Sequence, residues 1–594
     1  MRKVVNKNNI YLSMYDQIQK SKKEEFKRTL YISVLCALVG LICGFGTAAF
    51  NYLINFFYNL LFFGRISFYG SNATDFISRW GKFVVFVPAV AIMISNFISH
   101  KSAPEARGHG VPEVMVAISE DGGKIRPIVG FIKMVVSAVT IGGGGSVGRE
   151  GPIVQIGASF GSTIAQIFHL SQRETIILTA AGTAGGLGAV FNAPIGGVMF
   201  AIELIIPEIS IMTVMPLVVS SVGSIFVIRV LFGPDPQFVI PVYTMVSNYE
   251  LLIHILLGVL CGLLSVGFIK TNIEINRYIN SVKIPYIFKS LIGGTLVGCA
   301  GYLSLKEYGR YYLLGTGADF MEFVLSNGAS SIIMLLIIIG LKFLTTSITL
   351  GSGGSGGIFT PAIYLGCALG GVVGIIANFL FPGEVGHVAA YAIVGMCGML
   401  SGVTGAVFTS IILLFEMTRN YEVMLPLMLS AVISNFVSRL IYSETIFTYG
   451  LVENGYHIVF NKRISSFTSI SVKEAMKTNF VFVNPSDTIE KVLVIMRENN
   501  LSVLPVIEKD NIVIGTVSYR ELYKAKDSKD SSEIKNLVKC QTITIPSTAD
   551  LSEALEVMHM ADSDCLVVKE NGKNIGVLTP NRIIRKGLEK RGSL

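Results

Sequence analysis

A glycine-rich stretch in the first third of the chain recurs 209 residues later: Gly145, Ser146, Gly148, Pro152, Gly157 and Gly161 return as Gly354, Ser355, Gly357, Pro361, Gly366 and Gly370. At an offset of 213 the match continues, from Gly182, Gly185, Leu187, Val190, Ala193 and Glu203 to Gly395, Gly398, Leu400, Val403, Ala406 and Glu416. The first 450 residues thus look like two related halves. Their apolar segments, at 29–61, 83–99, 127–141, 175–206, 210–232, 250–270, 286–305, 330–350, 361–381, 388–415 and 423–442, differ in length and many are dense in glycine. A spanning helix needs about 20 apolar residues, so several of these are tilted, short or broken. Broken helices are tolerated in a bilayer only where protein buries them or where they line a cavity. Glycine- or proline-interrupted segments at matching places in two halves point to a permeation protein with its site near the midplane. That site is expected where the two glycine-rich segments meet.

Composition agrees with a membrane class. Only 15% of residues are charged, against about 25% in soluble proteins. Residues 451–594 carry 38 of the 88 Lys, Arg, Asp and Glu, so charge separates a membrane part from a soluble tail near residue 450. The expected organisation is a cytoplasmic N-terminal segment at 1–28, a membrane domain at 29–450 and a linker at 451–469. A first small module at 470–524, a second linker at 525–533 and a second module with its tail at 534–594 complete it. Each module reads as strand, helix, strand, strand, helix. The fold class is therefore an all-α polytopic membrane domain followed by a small tandem α/β unit. Basic residues Arg2, Lys3, Lys7, Lys20, Lys22, Lys23, Lys27 and Arg28 place the N-terminus on the cytoplasmic side. The net charge of +8 is modest and gives no reason to expect a nucleic-acid partner. Eight cysteines without a CxxC pair suggest no metal or redox site. An enzyme is not expected, because the membrane part shows no nucleophile–base pair and no metal-ligand spacing.

Three segments place glycine and proline at the start of apolar runs: GHGVPE at 108–113, GREGP at 148–152 and GSGGSGGIFTP at 351–361. Proline suits the first helical turn, glycine lets backbone N–H groups approach a ligand, and helix N-termini attract anions. Several such ends converging would bind an anion without a buried lysine. Glu150 stands at one of these ends. When ionised it can occupy the anion site itself and when protonated withdraw, which makes it a gate, and an intramembrane acid is functional by default. Glu203 and Glu416 close matching apolar runs and read as paired or capping carboxylates.

GHGVPE, GREGP and GGIFTP, in this order and followed by paired small modules, resemble the CLC family of chloride channels and proton-coupled chloride antiporters, with a tail similar to tandem CBS modules. The resemblance implies an inverted-repeat membrane domain, a homodimer with one anion pathway per subunit, and a multi-pass plasma-membrane location with a cytoplasmic tail. It implies Glu150 as gating glutamate and anion-binding positions at His109, Gly110, Gly148, Arg149, Gly357, Ile358, Phe359 and Phe447. Chloride or a similar anion is the expected cargo, with protons as the second candidate and membrane lipid as surroundings.

Three departures from the family pattern qualify this. Chloride-selective members commonly carry a serine where this chain has His109, and a tyrosine where SETIFTYG places Phe447, with Tyr442 or Tyr449 as the alternative in a shifted register. Chloride leads, while nitrate, bromide or fluoride selectivity stays open. Antiporters of the family usually have two successive glutamates where this chain has Glu203 and Leu204. The missing proton-relay acid at Leu204 favours channel-like or weakly coupled permeation over the alternative, proton/anion antiport. In the modules, Ser518, Glu521 and Thr579 are the candidates for holding an adenine nucleotide, beside the reading of a purely structural dimerising tail. No cofactor is required. A cation transporter with a regulatory tail is the distant alternative, and it would need acidic clusters in the pore.

Overall fold

The computed structural model describes residues 7–591 except 71–76, 207–209, 235–246, 248, 327–330, 454–469, 479–480, 499–502, 509–511, 528–533, 539–543, 550, 561–564 and 571–572. Most of the two expected linkers lies outside the described residues. The chain forms two compact units, Met1–Phe460 and Asn461–Leu594.

The first unit is helical. Its first half comprises α1 (Lys7–Tyr58), α2 (Val87–Ser102), α3 (Val111–Ser119), α4 (Pro127–Gly142), α5 (Glu150–Ile167), α6 (Gln172–Phe191), α7 (Pro194–Phe200) and α8 (Ile211–Phe232). Its second half repeats the series as α9 (Glu250–Ser281), α10 (Tyr286–Tyr308), α11 (Ala318–Leu325), α12 (Ile332–Gly351), α13 (Phe359–Leu380), α14 (Val388–Thr404), α15 (Val407–Thr418) and α16 (Met424–Ile441), and α17 (Ile446–Glu453) follows. Among the described residues, nine helices are long and apolar enough to cross a membrane, while α4, α7, α14 and α15 are shorter. Proline at the first turn of α4, α7 and α3 sets those starts.

Glycines let the repeated pairs pack backbone to backbone. A Cβ on Gly157 would strike the Gly182 carbonyl oxygen, and one on Gly366 would strike that of Gly395, the same contact in each half. The halves also exchange hydrogen bonds symmetrically: Ser146 N–H donates to Thr349 Oγ1 and Ser355 N–H to Thr140 Oγ1, each at 3.2 Å. Glu203 accepts from Phe408 N–H at 3.2 Å and Thr409 N–H at 2.8 Å at the start of α15. Glu416 accepts from Ile195 N–H at 3.1 Å and Gly196 N–H at 2.7 Å at the start of α7. The carboxylate of each half thus caps a helix of the other, satisfying N–H groups that a helix start leaves free. The capping reading of both acids holds.

The two halves are inverted. Arg28 on α1 pairs with Glu174 at the start of α6, Nη2 to Oε2 at 2.9 Å, which defines one face. From Arg28 to Asn51, α1 climbs about 35 Å at 1.5 Å per residue, enough to reach the other face. α5 runs from the middle toward the Arg28 face, where Ser162 bonds the Gly123 carbonyl. α13 starts in the middle too and runs the other way, its Asn378 reaching the Gly386 carbonyl beside Glu250, where α9 begins.

The second unit contains α18 (Val472–Ala475), α19 (Ile489–Glu498), β1 (Val503–Glu508), β2 (Ile512–Ser518), α20 (Tyr519–Asp527), β3 (Thr544–Pro546), α21 (Leu551–Met560), β4 (Leu566–Glu570), β5 (Lys573–Leu578) and α22 (Pro580–Arg591). β1 and β2 pair antiparallel; β3 runs parallel to β4, and β5 antiparallel to it. The first strand expected in the first module is a single bridge, Val483 to Val506. Ile470, Val472 and Ala475, at the expected start of the first module, pack in one core with Leu551, Leu566 and Leu578 of the second. Lys477 exchanges backbone hydrogen bonds with Val577 at 2.9 and 3.1 Å. Apolar spacing requires these residues to be buried without saying in which core.

Candidate functional site at the repeat crossing

Gly148 and Gly357 meet as an antiparallel bridge, with Gly148 N–H to Gly357 O at 2.8 Å and Gly357 N–H to Gly148 O at 2.7 Å. The expected meeting of the two glycine-rich segments is thus a hydrogen-bonded crossing, from which α5 and α13 depart in opposite directions. Ile358 precedes the first turn of α13 and Phe359 opens it, both buried. Their repeat mates are Arg149 and Glu150, so an acid in one half stands where the other has Phe359. Each helix end offers N–H groups unused by its own ladder and the positive end of its dipole.

Glu150 is only 2% exposed. Its Oε1 is 4.0 Å from Arg149 Nε, and its Oε2 has no hydrogen-bond partner among the described residues. The contact with Arg149 therefore accounts for one carboxylate oxygen only. A buried carboxylate oxygen left without a partner is costly, which suits a group that changes place or protonation. Arg149 also donates to Asn51 Oδ1 at 3.1 Å.

The GHGVPE segment packs directly on this crossing. Gly110 has φ +91°, and a Cβ there would strike the Gly151 carbonyl oxygen, so only glycine fits. Glu113 Oε2 accepts the Gly110 N–H at 2.8 Å, and Lys133 Nζ holds the Ala106 and Gly108 carbonyls at 3.1 and 2.9 Å. His109 is half-buried, with Nδ1 buried and without a hydrogen-bond partner among the described residues. Phe447 is buried and stacks on Phe359 with ring centres 6.0 Å apart and planes 24° apart. In this geometry Phe447 is the residue of α17 that faces the start of α13, while Tyr449 lines a cavity of about 920 Å³ and Tyr442 follows the last turn of α16. Leu204 lies half-buried in the wide turn Ala201–Ile205 that follows α7.

Two cavities flank the crossing. One of about 920 Å³ opens on the Arg28 face and is lined by His109, Glu113, Lys124, Arg277 and Tyr449. Another of about 540 Å³, lined by Asn51, Tyr58, Arg149, Arg310 and Thr316, lies at the other end of α1. A small cavity of about 90 Å³ joins Arg149 and Glu150 to Thr316, Ala318 and Thr360. Glu150 and His109 thus bound the protein between the two openings.

Residues 90–439 match the family model for the voltage gated chloride channel, which is more than half of the chain. The chain belongs to the CLC family. Residues 472–528 and 534–589 each match the model of the CBS domain. The H(+)/Cl(-) exchange transporter ClcA of Vibrio cholerae is 31% identical over 434 residues, 71% of this chain and 89% of that protein. Among solved structures, a slow cyanobacterial Cl-/H+ antiporter superposes with TM-score 0.63 at 23% identity, over 72% of this chain and 98% of that one. A eukaryotic CLC transporter gives TM-score 0.58 at 20% identity and covers 93% of this chain and 98% of that one. This CLC protein is therefore a multi-pass membrane protein of an anion-transport family, and the all-α repeat architecture with a tandem CBS tail is the family's fold.

In the CBS tail, Ser518 Oγ donates to Glu521 Oε2 at 2.9 Å and accepts from Glu521 N–H at 3.3 Å, so the two close the start of α20 on each other. Thr579 precedes α22, its carbonyl accepting from Arg582 and Ile583 N–H at 3.0 and 3.2 Å.

Two lysines, Lys133 and Lys342, escape the motif-based reading of the sequence. Each is a single lysine inside an apolar run, a charge pattern that marks intramembrane function. They sit 209 residues apart, so the repeat itself could have found them.

Proposed function

We propose that this CLC protein exchanges chloride for protons across the plasma membrane, with its N-terminus and CBS tail in the cytoplasm and two copies per assembly. The supporting observation is Glu150: a buried carboxylate with one unpartnered oxygen, placed at a helix start between two water-accessible cavities. Chloride rests on the N–H groups around Ile358 and Phe359, between the N-terminal ends of α5 and α13. Ionised Glu150 competes for the positive end of α5; protonated Glu150 yields it, and the exchange of occupants couples the two ions. Gly110, Gly148 and Gly357 let the backbones approach, Arg149 draws anions inward, and His109 faces the inner cavity as hydrogen-bond donor.

This reading reverses the preference for channel-like permeation drawn from Leu204. The similarity to H(+)/Cl(-) exchange transporters favours antiport, and Glu203 cannot stand in for the missing acid because Phe408 and Thr409 hold it. Protons reach Glu150 from the inner cavity along water. In the tail, Ser518 and Glu521 are spent on each other, which favours a dimerising scaffold over an adenine-nucleotide site.

Proteoliposomes loaded with high chloride and suspended in low chloride test the exchange. Outward chloride movement is expected to pull protons inward against a pH gradient. Chloride efflux with no proton movement would identify a channel and make Leu204 decisive.

A further inference from the structure

The second half carries its own copy of the GHG loop, at the outer cavity by the far end of α1. Gly108, His109 and Gly110 before α3 recur as Gly315, Thr316 and Gly317 before α11. The glycines share the left-handed backbone, φ +78° and +91° in one loop and +60° and +76° in the other. The inner loop satisfies itself: Glu113 takes the Gly110 N–H, and Lys133 takes two carbonyls. At the place of Glu113 the outer loop has Phe320, buried and apolar. Gly317 closes a tight turn on Leu314, and no acceptor is found among the described residues for the N–H groups of Thr316 and Ala318.

Lys342, the repeat mate of Lys133, is fully buried halfway along α12, and its Nζ has no hydrogen-bond partner among the described residues. It lies 4.6 Å from the centre of the Tyr364 ring and 3.5 Å from where a Cβ on Gly317 would stand, so it points at the N-terminal end of α11. A cation held inside a membrane protein without a carboxylate partner is costly. The loop in front of it lines the outer cavity with Arg149 and Arg310, and Thr316 and Ala318 also line the small cavity that reaches Glu150.

We propose that the Gly315–Gly317 loop is an outer anion stop, in which a small inorganic anion, chloride on the reading above, takes the place that Glu113 fills in the inner loop. The N–H groups at the start of α11 hold it, and Lys342 supplies the charge across Gly317, where no side chain intervenes. The stop loads anions from the outer cavity beside Glu150. Asp319, exposed at its rim, opposes them.

Chloride flux by the full-length protein, in membrane vesicles of both orientations, tests this. Lys342→Met is expected to raise the half-saturating chloride at the outer face about fivefold and leave that at the inner face unchanged, and Lys342→Arg restores it. Asp319→Asn lowers the outer value, and as an exposed substitution it decides the matter even where Lys342→Met does not assemble. An outer half-saturation unmoved by Asp319→Asn, or an equal shift at both faces, overturns the outer stop while leaving exchange intact. Absence of any anion flux in the wild-type protein overturns the underlying reading instead.

Discussion

Glu150→Gln abolishes chloride-driven proton movement, by about 100-fold or more, and leaves a chloride flux that no longer changes with pH. The amide is isosteric but carries no charge and cannot exchange a proton, so it neither competes with chloride for the start of α5 nor accepts a proton from the inner cavity. The carboxylate oxygen without a partner makes the substitution mild for folding, because no hydrogen bond to Oε2 is lost. Parallel chloride-electrode and pH recordings on reconstituted protein report both effects. Retained proton coupling in Glu150→Gln would move the gate to another residue.

The other large effect is at the crossing itself. Gly151→Ala puts a methyl group into the His109 carbonyl oxygen and 2.9 Å from Gly357 Cα; Gly357→Ala puts one 2.6 Å from Gly151 N. Every neighbour is backbone, so no side chain can turn aside, and two helix starts and the GHGVPE loop must separate together. A cost above about 4 kcal/mol is expected for either substitution, read as loss of the monodisperse solubilised protein and of chloride flux. Gly340→Ala is the control, since a Cβ there meets nothing within 4 Å. Wild-type yield and flux in Gly357→Ala would show that the crossing is looser than described.

Much of this is legible in the sequence because the site is made of repeat-related glycines. Identity at a fixed offset puts Gly148 opposite Gly357, and the same offset sets Glu150 opposite Phe359. Counting along SETIFTYG brings Phe447 to the site, and the stacking on Phe359 agrees. The illegible parts have a physical reason. Glu203 and Glu416 look alike as capping acids, but that each caps the other half depends on the inversion, which identities do not encode. Ile470, Val472 and Ala475 carry apolar spacing that requires burial, and that they pack against residues of the second module is a tertiary fact that spacing does not encode. Leu204 shows that an acid is missing from one place, and says nothing about water paths elsewhere.

The central claim, that an anion sits on the helix ends at the repeat crossing and competes there with Glu150, is tested most directly by locating the anion. Crystals of the full-length protein grown with bromide and measured at its absorption edge are expected to show an anomalous peak within hydrogen-bond distance of the Ile358 and Phe359 N–H groups. In Glu150→Gln a further peak is expected where the carboxylate stood, at the start of α5. Bromide absent from the crossing in both proteins, with peaks elsewhere only, would contradict the account.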